Sequence, residues 1–171
     1  WRAFFEGMME STGTRPDAWA PAFEEVARYH REHHLWAREL PGMGGVLDAL
    51  RARGYRVAAI SNSDGRAPDL LARLGLAEHF ELVIDSHLVG VEKPDKRIFH
   101  LACERLELAP ARCAYVGDVL AFDAEGARCA GLVPVLFDAY GSYEDAPAGG
   151  ARVTGPAELL ALFPGRARGA A

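Results

Sequence analysis

The sequence has few of the residues that would tie it to a disulfide framework, a membrane or a nucleic acid. Its three cysteines (Cys103, Cys113 and Cys129) are an odd number and form no CxxC pair, so neither a zinc site nor a disulfide set is supported. No apolar run approaches the ~18 residues of a membrane span, and no charged-then-apolar leader opens the chain. The net charge of −5, with arginines scattered among glutamates, argues against a nucleic-acid partner. We therefore expect a cytoplasmic protein with reduced, buried thiols.

What remains is an ordinary globular mixture. Half of the 171 residues are hydrophobic and a quarter are charged, enough for one substantial core and a small second lobe. Residues 1–40 have a helical pattern throughout, with a break at "TGTRP" and a second helix predicted from about Asp17, a good N-cap, through "AWAPAFEEVARYHREHHLW". The sequence therefore predicts a purely helical segment at the start of the chain.

From residue 41 onward, apolar runs of strand length alternate with helical patterns. The strand-like runs are "YRVAAI", "ELVID", "CAYVG" and "VPVLF", and the segments between them have the spacing of helices. Strands that lack period-2 alternation and are separated by helices are typical of a parallel sheet covered on both faces. We therefore predict an α/β, doubly wound, Rossmann-like domain over residues 41–171, preceded by the helical segment 1–40.

Polar residues follow three of the predicted strands, at the sheet edge where ligands bind in this class of fold. Ser61 and Asn62 follow the first, Lys93 lies in "VEKPD" after the second, and Asp118 and Asp123 follow the third. Two carboxylates in one crevice repel each other by roughly 4 kcal/mol at about 4 Å, and Mg²⁺ removes that repulsion. Each residue also has a plain structural interpretation, as a helix cap, a turn residue or a solvated side chain.

Taken together, the three segments match an ordered pattern. "VAAISNSDGR", "VGVEKPDKRIF" and "AYVGDVLAFDAEGARCAG" resemble the second, third and fourth motifs of the haloacid dehalogenase (HAD) superfamily of hydrolases, and most closely its phosphatase-like branch with a helical cap. The resemblance extends over about residues 41–138. It implies a HAD core over residues 41–171 and makes residues 1–40 a partial helical cap.

The resemblance also implies a role for each residue. Ser61 would hydrogen-bond the transferring phosphoryl group and Asn62 would shape the turn around it. Lys93 would be the catalytic lysine, balancing the charge of the phosphoryl group and of the attacking carboxylate. Asp118 would ligate Mg²⁺, and Asp123 would do so directly or through water. Family members that cleave carbon–halogen bonds lack this acidic pair, so a small phosphorylated substrate is favoured.

The family's nucleophile, an aspartate in a D-x-D-x-[T/V] motif on the first strand, is missing. The chain contains no D-x-D, and the nearest imitation, Asp138 after "VPVLF", follows the metal motif and has Tyr140 in place of the second aspartate. The sequence begins at Trp1 rather than Met, so we expect an upstream segment that supplies the nucleophile and the first, central strand of the sheet. Phe122 also departs from the family, where a polar residue is common.

Two functions follow from these features. The first is a fragment of a Mg²⁺-dependent phosphohydrolase that acts through an aspartyl-phosphate, the chain alone being inactive. The alternative is a catalytically inactive HAD-like protein that binds phosphate and metal. Neither substrate nor oligomeric state can be inferred from the sequence.

Four histidines do not belong to this pattern. His30, His33 and His34 have metal-like spacings on the second helix, but no carboxylate or cysteine in the sequence pattern completes a zinc site, so a packed or solvated helix face is favoured. His87 lies between "ELVIDS" and "VGVEKPD" and is compatible with either an active-site crevice or an ordinary loop position.

Overall fold

A computed structural model describes residues 2–143 and 149–165 of the chain. The contacts divide the chain into two units, Trp1–Arg38 and Glu39–Ala171. The boundary lies close to residue 41, where the sequence pattern changes from purely helical to alternating.

The first unit contains helices α1 (Arg2–Ser11) and α2 (Trp19–His33). Phe5 of α1 is buried and packs edge-on against Phe23 of α2, with the ring centroids 5.3 Å apart. Asp17 is not the N-cap that the sequence predicts. It lies in a short 3-10 turn that Pro16 opens, and its carboxylate pairs with Arg15, so α2 begins two residues later.

The second unit alternates helices and strands, in the order that the sequence predicts. Its elements are α3 (Met43–Ala52), β1 (Ala58–Ser61), α4 (Ala67–Arg73), β2 (Leu82–Asp85), α5 (Ser86–Val89), α6 (Lys96–Arg105), β3 (Ala114–Gly117), α7 (Glu125–Cys129), β4 (Val133–Phe137), β5 (Ala151–Val153) and α8 (Pro156–Ala161). Among the described residues of the whole chain, no helix has both the length and the apolar character needed to cross a membrane.

The five strands of the described residues pair in parallel, but they form two sheets. One sheet has the order β1-β2 and the other the order β3-β4-β5. Within residues 2–143 and 149–165, no strand pairs with both β1 and β3, and Val116 on β3 remains 37% exposed. The interruption falls between the strands ending at Ser61 and Gly117.

Helices cover these strands through two main apolar clusters. In one, α6 and α7 pack against β2, with Phe99 and Ala127 fully buried and Ile84 nearly so. In the other, α3 and α8 pack against β4 and β5. Helix α6 is capped at its N-terminus by Asp95, whose carboxylate accepts the backbone N–H of Arg97 at 2.9 Å.

Candidate active site at the carboxyl ends of the strands

The loop after β1 is tied directly to the loop that precedes α6. The Asn62 amide donates from Nδ2 to the carbonyl oxygen of Lys93 at 2.9 Å, and its Oδ1 accepts the backbone N–H of Lys93 at 2.8 Å. A side-chain amide that pairs with both the N–H and the C=O of one residue fixes the position and the orientation of that residue's backbone. The structure therefore brings the predicted residues Asn62 and Lys93 together. Ser61, the last residue of β1, directly precedes Asn62.

The Lys93 side chain crosses to the loop after β3. Its Nζ lies 2.7 Å from Oδ1 of Asp123, and the two side chains are only 13% and 3% exposed, respectively. The second oxygen of Asp123 accepts the backbone N–H of Val119 at 2.9 Å. Both carboxylate oxygens of Asp123 are thus already engaged, one by a buried ammonium and one by the loop itself.

A turn of π-helix, Leu120–Ala124, carries Asp123 back beneath the end of β3. Gly117 makes this possible, because a Cβ at that position would lie 2.4 Å from Cγ of Asp123. A real Cβ cannot approach another carbon so closely. Gly117 is therefore required for the close approach of the carboxylate.

Tyr115 on β3 is a further member of the site. Its hydroxyl accepts a hydrogen bond from Nζ of Lys93 at 2.9 Å and donates one to the carbonyl oxygen of Ile60 at 3.3 Å. Burial raises the pKa of Tyr115, and the nearby carboxylate of Asp123 raises it further, so the phenol stays protonated. In the sequence, Tyr115 lies within the apolar strand-like run "CAYVG", and no role in the site is predicted for it. The available signal was that a buried tyrosine hydroxyl needs a hydrogen-bond partner.

Asp85, at the end of β2, is a second residue near the site that was not predicted from the sequence. It is 1% exposed, and its carboxylate accepts the backbone N–H groups of Gly65, Ala67 and His87 at 3.0 to 3.1 Å. Next to it, the Ser86 hydroxyl accepts the N–H of Ser63 at 3.1 Å. These two residues hold the loop that follows Ser61. A carboxylate at the end of an apolar strand was the signal, as it was for Asp118.

Ser61 and Asp118 are the two predicted site residues whose side chains have no polar partner among the described residues. Ser61 is partly buried at the end of β1, and Asp118 is exposed directly after β3. Within the part of the chain that the structure describes, neither the Ser61 hydroxyl nor the Asp118 carboxylate has a hydrogen-bond or ion-pair partner. The structure therefore joins Asn62, Lys93 and Asp123 by direct contacts, and leaves Ser61 and Asp118 available for other partners.

Phe122 and Asp138 have clear positions in the structure. Phe122 is 48% exposed, and Asp123 is supported by Lys93 and Val119 rather than by a polar residue at position 122. Asp138 is buried after β4, where it accepts the N–H groups of Ser142 and Tyr143 and lies 3.1 Å from Nε of Arg152. Its carboxylate is therefore engaged in holding the following loop.

The histidines have local partners as well. Nδ1 of His30 accepts the N–H of Leu35 at 3.2 Å, and Nδ1 of His34 accepts the N–H of Trp36 at 3.3 Å, so both stabilise the chain at the end of α2. His33 is exposed. His87 lies in the short helix α5, and a Cβ added at Gly65 would meet its ring at 3.1 Å, which places His87 beside the loop after β1.

A parallel α/β domain whose successive strand ends carry Ser61, Lys93 and the pair Asp118 and Asp123 has the architecture of a Rossmann-like hydrolase. A family model described as haloacid dehalogenase-like hydrolase matches residues 2–131. The chain belongs to this family, as its three motifs predict.

Individual relatives agree with this assignment. The chain is 35% identical over 133 residues to haloacid dehalogenase-like hydrolase domain-containing protein 3 of Bos taurus, covering 77% of this chain and 53% of that protein. It is 36% identical over 138 residues to phosphoserine phosphatase of Thermus thermophilus, covering 78% and 53%. The crystal structure of a HAD phosphatase from Thermococcus onnurineus has the same fold, with a TM-score of 0.71 at 21% identity over 96% of this chain and 88% of that one. The chain spans about half the length of the two curated relatives.

Proposed function

We propose that this chain carries the phosphate- and metal-binding part of a Mg²⁺-dependent phosphohydrolase that acts on a small phosphorylated metabolite through an aspartyl-phosphate. The supporting observation is the ammonium of Lys93. A lysine ammonium has three N–H donors, and Asp123 and Tyr115 accept from it at 2.7 and 2.9 Å. One donor is left for an anionic ligand at the strand ends. The similarity to a relative named phosphoserine phosphatase points to the same class of substrate.

Ser61 and Lys93 would hold the phosphoryl group from two sides. The Ser61 hydroxyl has no partner among the described residues, so it can donate to a phosphoryl oxygen without giving up another hydrogen bond. The two hydrogen bonds of the Asn62 amide keep the Lys93 backbone next to this turn. Donors held in place before the substrate arrives stabilise the charge that develops on the phosphoryl oxygens.

The carboxylates fit Mg²⁺ in unequal ways. Asp118 is exposed and unpartnered among the described residues, as a direct ligand should be, and Mg²⁺ typically takes one or two carboxylates together with waters and substrate phosphate. Asp123 is only 3% exposed, and its two oxygens already accept from Lys93 and Val119, so it is less open to a cation than Asp118. We therefore assign it the water-mediated role. When bound, Mg²⁺ supplies positive charge that offsets the negative charge on the phosphoryl oxygens.

The attacking aspartate is assigned to a strand between β1 and β3. The two strands belong to different sheets, and an interrupted sheet leaves two strand edges without partners. Asp138 is a poor candidate, because its carboxylate is buried and held by backbone N–H groups and Arg152. The helices of residues 1–38 would form part of a cap that excludes bulk water.

The test uses the complete protein, with whatever precedes Trp1 in the reading frame. Hydrolysis of p-nitrophenyl phosphate should require Mg²⁺ and should be abolished by Asp118→Asn. The chain has two lysines, which provide a matched pair: Lys93→Met should abolish turnover, whereas Lys96→Met, at the exposed first position of α6, should retain it.

Two results would contradict this assignment. A complete protein that binds phosphate and Mg²⁺ without turnover is the inactive HAD-like protein of the alternative hypothesis. An upstream reading frame without D-x-D-x-[T/V] within about a hundred residues, a distance set by the usual size of one domain, would remove the assigned nucleophile.

A further inference from the structure

We propose that Tyr115 is a positioning residue, whose hydroxyl holds the Lys93 ammonium so that its remaining N–H is directed to the phosphoryl group. The inference rests on the proposed function for what the ammonium does, but the positioning itself is a property of this chain. Tyr115 contacts Lys93, and it acts through that side chain.

A lysine side chain has four rotatable carbon–carbon bonds, so one ion pair with Asp123 restrains the distance of the ammonium but leaves it free to rotate. A second acceptor removes that freedom. The Tyr115 oxygen lies 2.9 Å from Nζ, and the centre of its ring lies 5.5 Å from the same atom. With two acceptors in fixed positions, the direction of the third N–H is determined.

The hydroxyl is itself oriented by its second contact. It donates its proton to the Ile60 carbonyl at 3.3 Å, which leaves a lone pair for Lys93. Ile60 directly precedes Ser61, so one hydroxyl connects β3, the lysine and the end of β1. A carbonyl oxygen accepts two hydrogen bonds, so this contact is compatible with a further strand pairing at Ile60.

The ring is fixed independently of the hydroxyl. It packs edge-on against Phe99, with the centroids 4.9 Å apart and the planes at 80°. Tyr115→Phe should therefore keep the packing and remove only the hydrogen bonds. Tyr55→Phe is a matched control, because the Tyr55 ring packs edge-on against Phe163 at 5.5 Å and 80°, and its hydroxyl donates to the Pro164 carbonyl.

The two lysines allow the positioning to be measured without any activity. Reductive methylation of the chain, followed by peptide mass spectrometry, gives the rate at Lys93 relative to the exposed Lys96. Loss of a hydrogen bond to a charged group should raise this ratio about tenfold in Tyr115→Phe and leave it unchanged in Tyr55→Phe. An unchanged ratio in folded Tyr115→Phe overturns the proposal.

A variant that fails to fold still leaves the question answerable. In the wild-type chain, nuclear Overhauser contacts between the Lys93 ε-methylene and the Tyr115 ring protons are expected. Their absence would overturn the proposal as surely as an unchanged labelling ratio.

In the complete protein, Tyr115→Phe should lower kcat for p-nitrophenyl phosphate about tenfold while KM stays within about twofold, because orientation matters most where charge develops. Tyr55→Phe should match the wild type. An absence of turnover by the wild type would contradict the proposed function, but it would not affect the conclusion drawn from the labelling ratio. Normal turnover, with kcat unchanged in Tyr115→Phe, defeats only the role of Tyr115.

Discussion

The ammonium of Lys93 lies 2.7 Å from Oδ1 of Asp123, in an ion pair almost wholly removed from water. The lysine comes from the loop before α6 and the aspartate from the turn after β3, so the pair joins two strand ends that are far apart in sequence. Burying both charges is unfavourable, and it is offset only while each charge keeps its partner. This pair therefore stabilises the local structure that joins the two loops.

Because of this burial, Asp118 and Asp123 should behave differently when each is replaced. Asp123→Ala leaves the Lys93 ammonium buried without its carboxylate and should lower the free energy of unfolding by about 3 kcal/mol or more. Asp118→Ala removes an exposed side chain and should change it by less than about 0.5 kcal/mol. Urea unfolding of the chain measures both values. Equal effects of the two substitutions would show that the ion pair does not contribute to the fold.

Gly117 provides a second prediction. In Gly117→Ala the added Cβ would lie 2.4 Å from Cγ of Asp123, so the carboxylate or the turn that carries it must move. Overpacking of this kind should lower the free energy of unfolding by about 1 to 3 kcal/mol. Gly45→Ala is the control, because nothing lies within 4 Å of its added Cβ and the residue is within helix α3.

The control, Gly45→Ala, should raise the free energy of unfolding. Alanine is favoured over glycine in a helix by about 1 kcal/mol, so Gly45→Ala should be stabilising. Thermal or urea unfolding of the two variants gives the comparison. A Gly117→Ala chain as stable as the wild type would mean that Asp123 does not approach the end of β3 so closely.

The order of the elements could be predicted from the sequence because apolar runs of strand length and helical spacing are local signals. "VPVLF" corresponds to β4, Val133–Phe137, and "CAYVG" corresponds to β3, Ala114–Gly117. Asp17 was a wrong N-cap, since a proline beside it favours a separate 3-10 turn. The end of α2 at His33 was not predictable from the sequence. The next residue, His34, has a φ of 63°.

Motif spacing predicts that Asn62, Lys93 and Asp123 lie at one edge of the sheet, and in the structure Lys93 contacts both Asn62 and Asp123. The same spacing cannot distinguish an exposed Asp118 from a buried Asp123. That difference depends on a turn of π-helix and on the missing side chain at Gly117.

Asp85 gives a third prediction, on the loop after β1. Asp85→Asn replaces one carboxylate oxygen by an NH₂ group, which cannot accept a backbone N–H; replacement of Oδ2 removes the acceptor of Ala67 and one of the two acceptors of Gly65. The free energy of unfolding should fall by about 2 kcal/mol. Amide hydrogen exchange at Gly65 and Ala67 should become faster than at other loop amides.

The matched control is Asp69→Asn, in the exposed first turn of α4. That change removes only a favourable charge near a helix N-terminus, worth about 0.5 kcal/mol. It should leave exchange at Gly65 unchanged. If Asp85→Asn exchanged no faster than Asp69→Asn at Gly65 and Ala67, the carboxylate of Asp85 would not be holding this loop.

The cysteines give a prediction that depends on pH. Burial raises the pKa of the Cys103 thiol to about 11, and the neighbouring Cys113 adds to this effect. Only the thiolate reacts with iodoacetamide, and at pH 8 a thiol with this pKa is about 0.1% ionised. Cys129 is exposed, so it should be alkylated well before Cys103 in the folded chain.

Raising the pH should narrow the difference between the alkylation rates of Cys103 and Cys129. The thiolate fraction of Cys103 grows about tenfold per pH unit until its pKa is reached. Mass spectrometry of tryptic peptides after timed alkylation at pH 8 and pH 10 gives both rates. In denaturing urea burial is lost, and the two cysteines should react at similar rates. Equal rates at Cys103 and Cys129 in the folded chain at pH 8 would contradict the buried position of Cys103 against α7 and β2, and with it the packing that supports the strand ends.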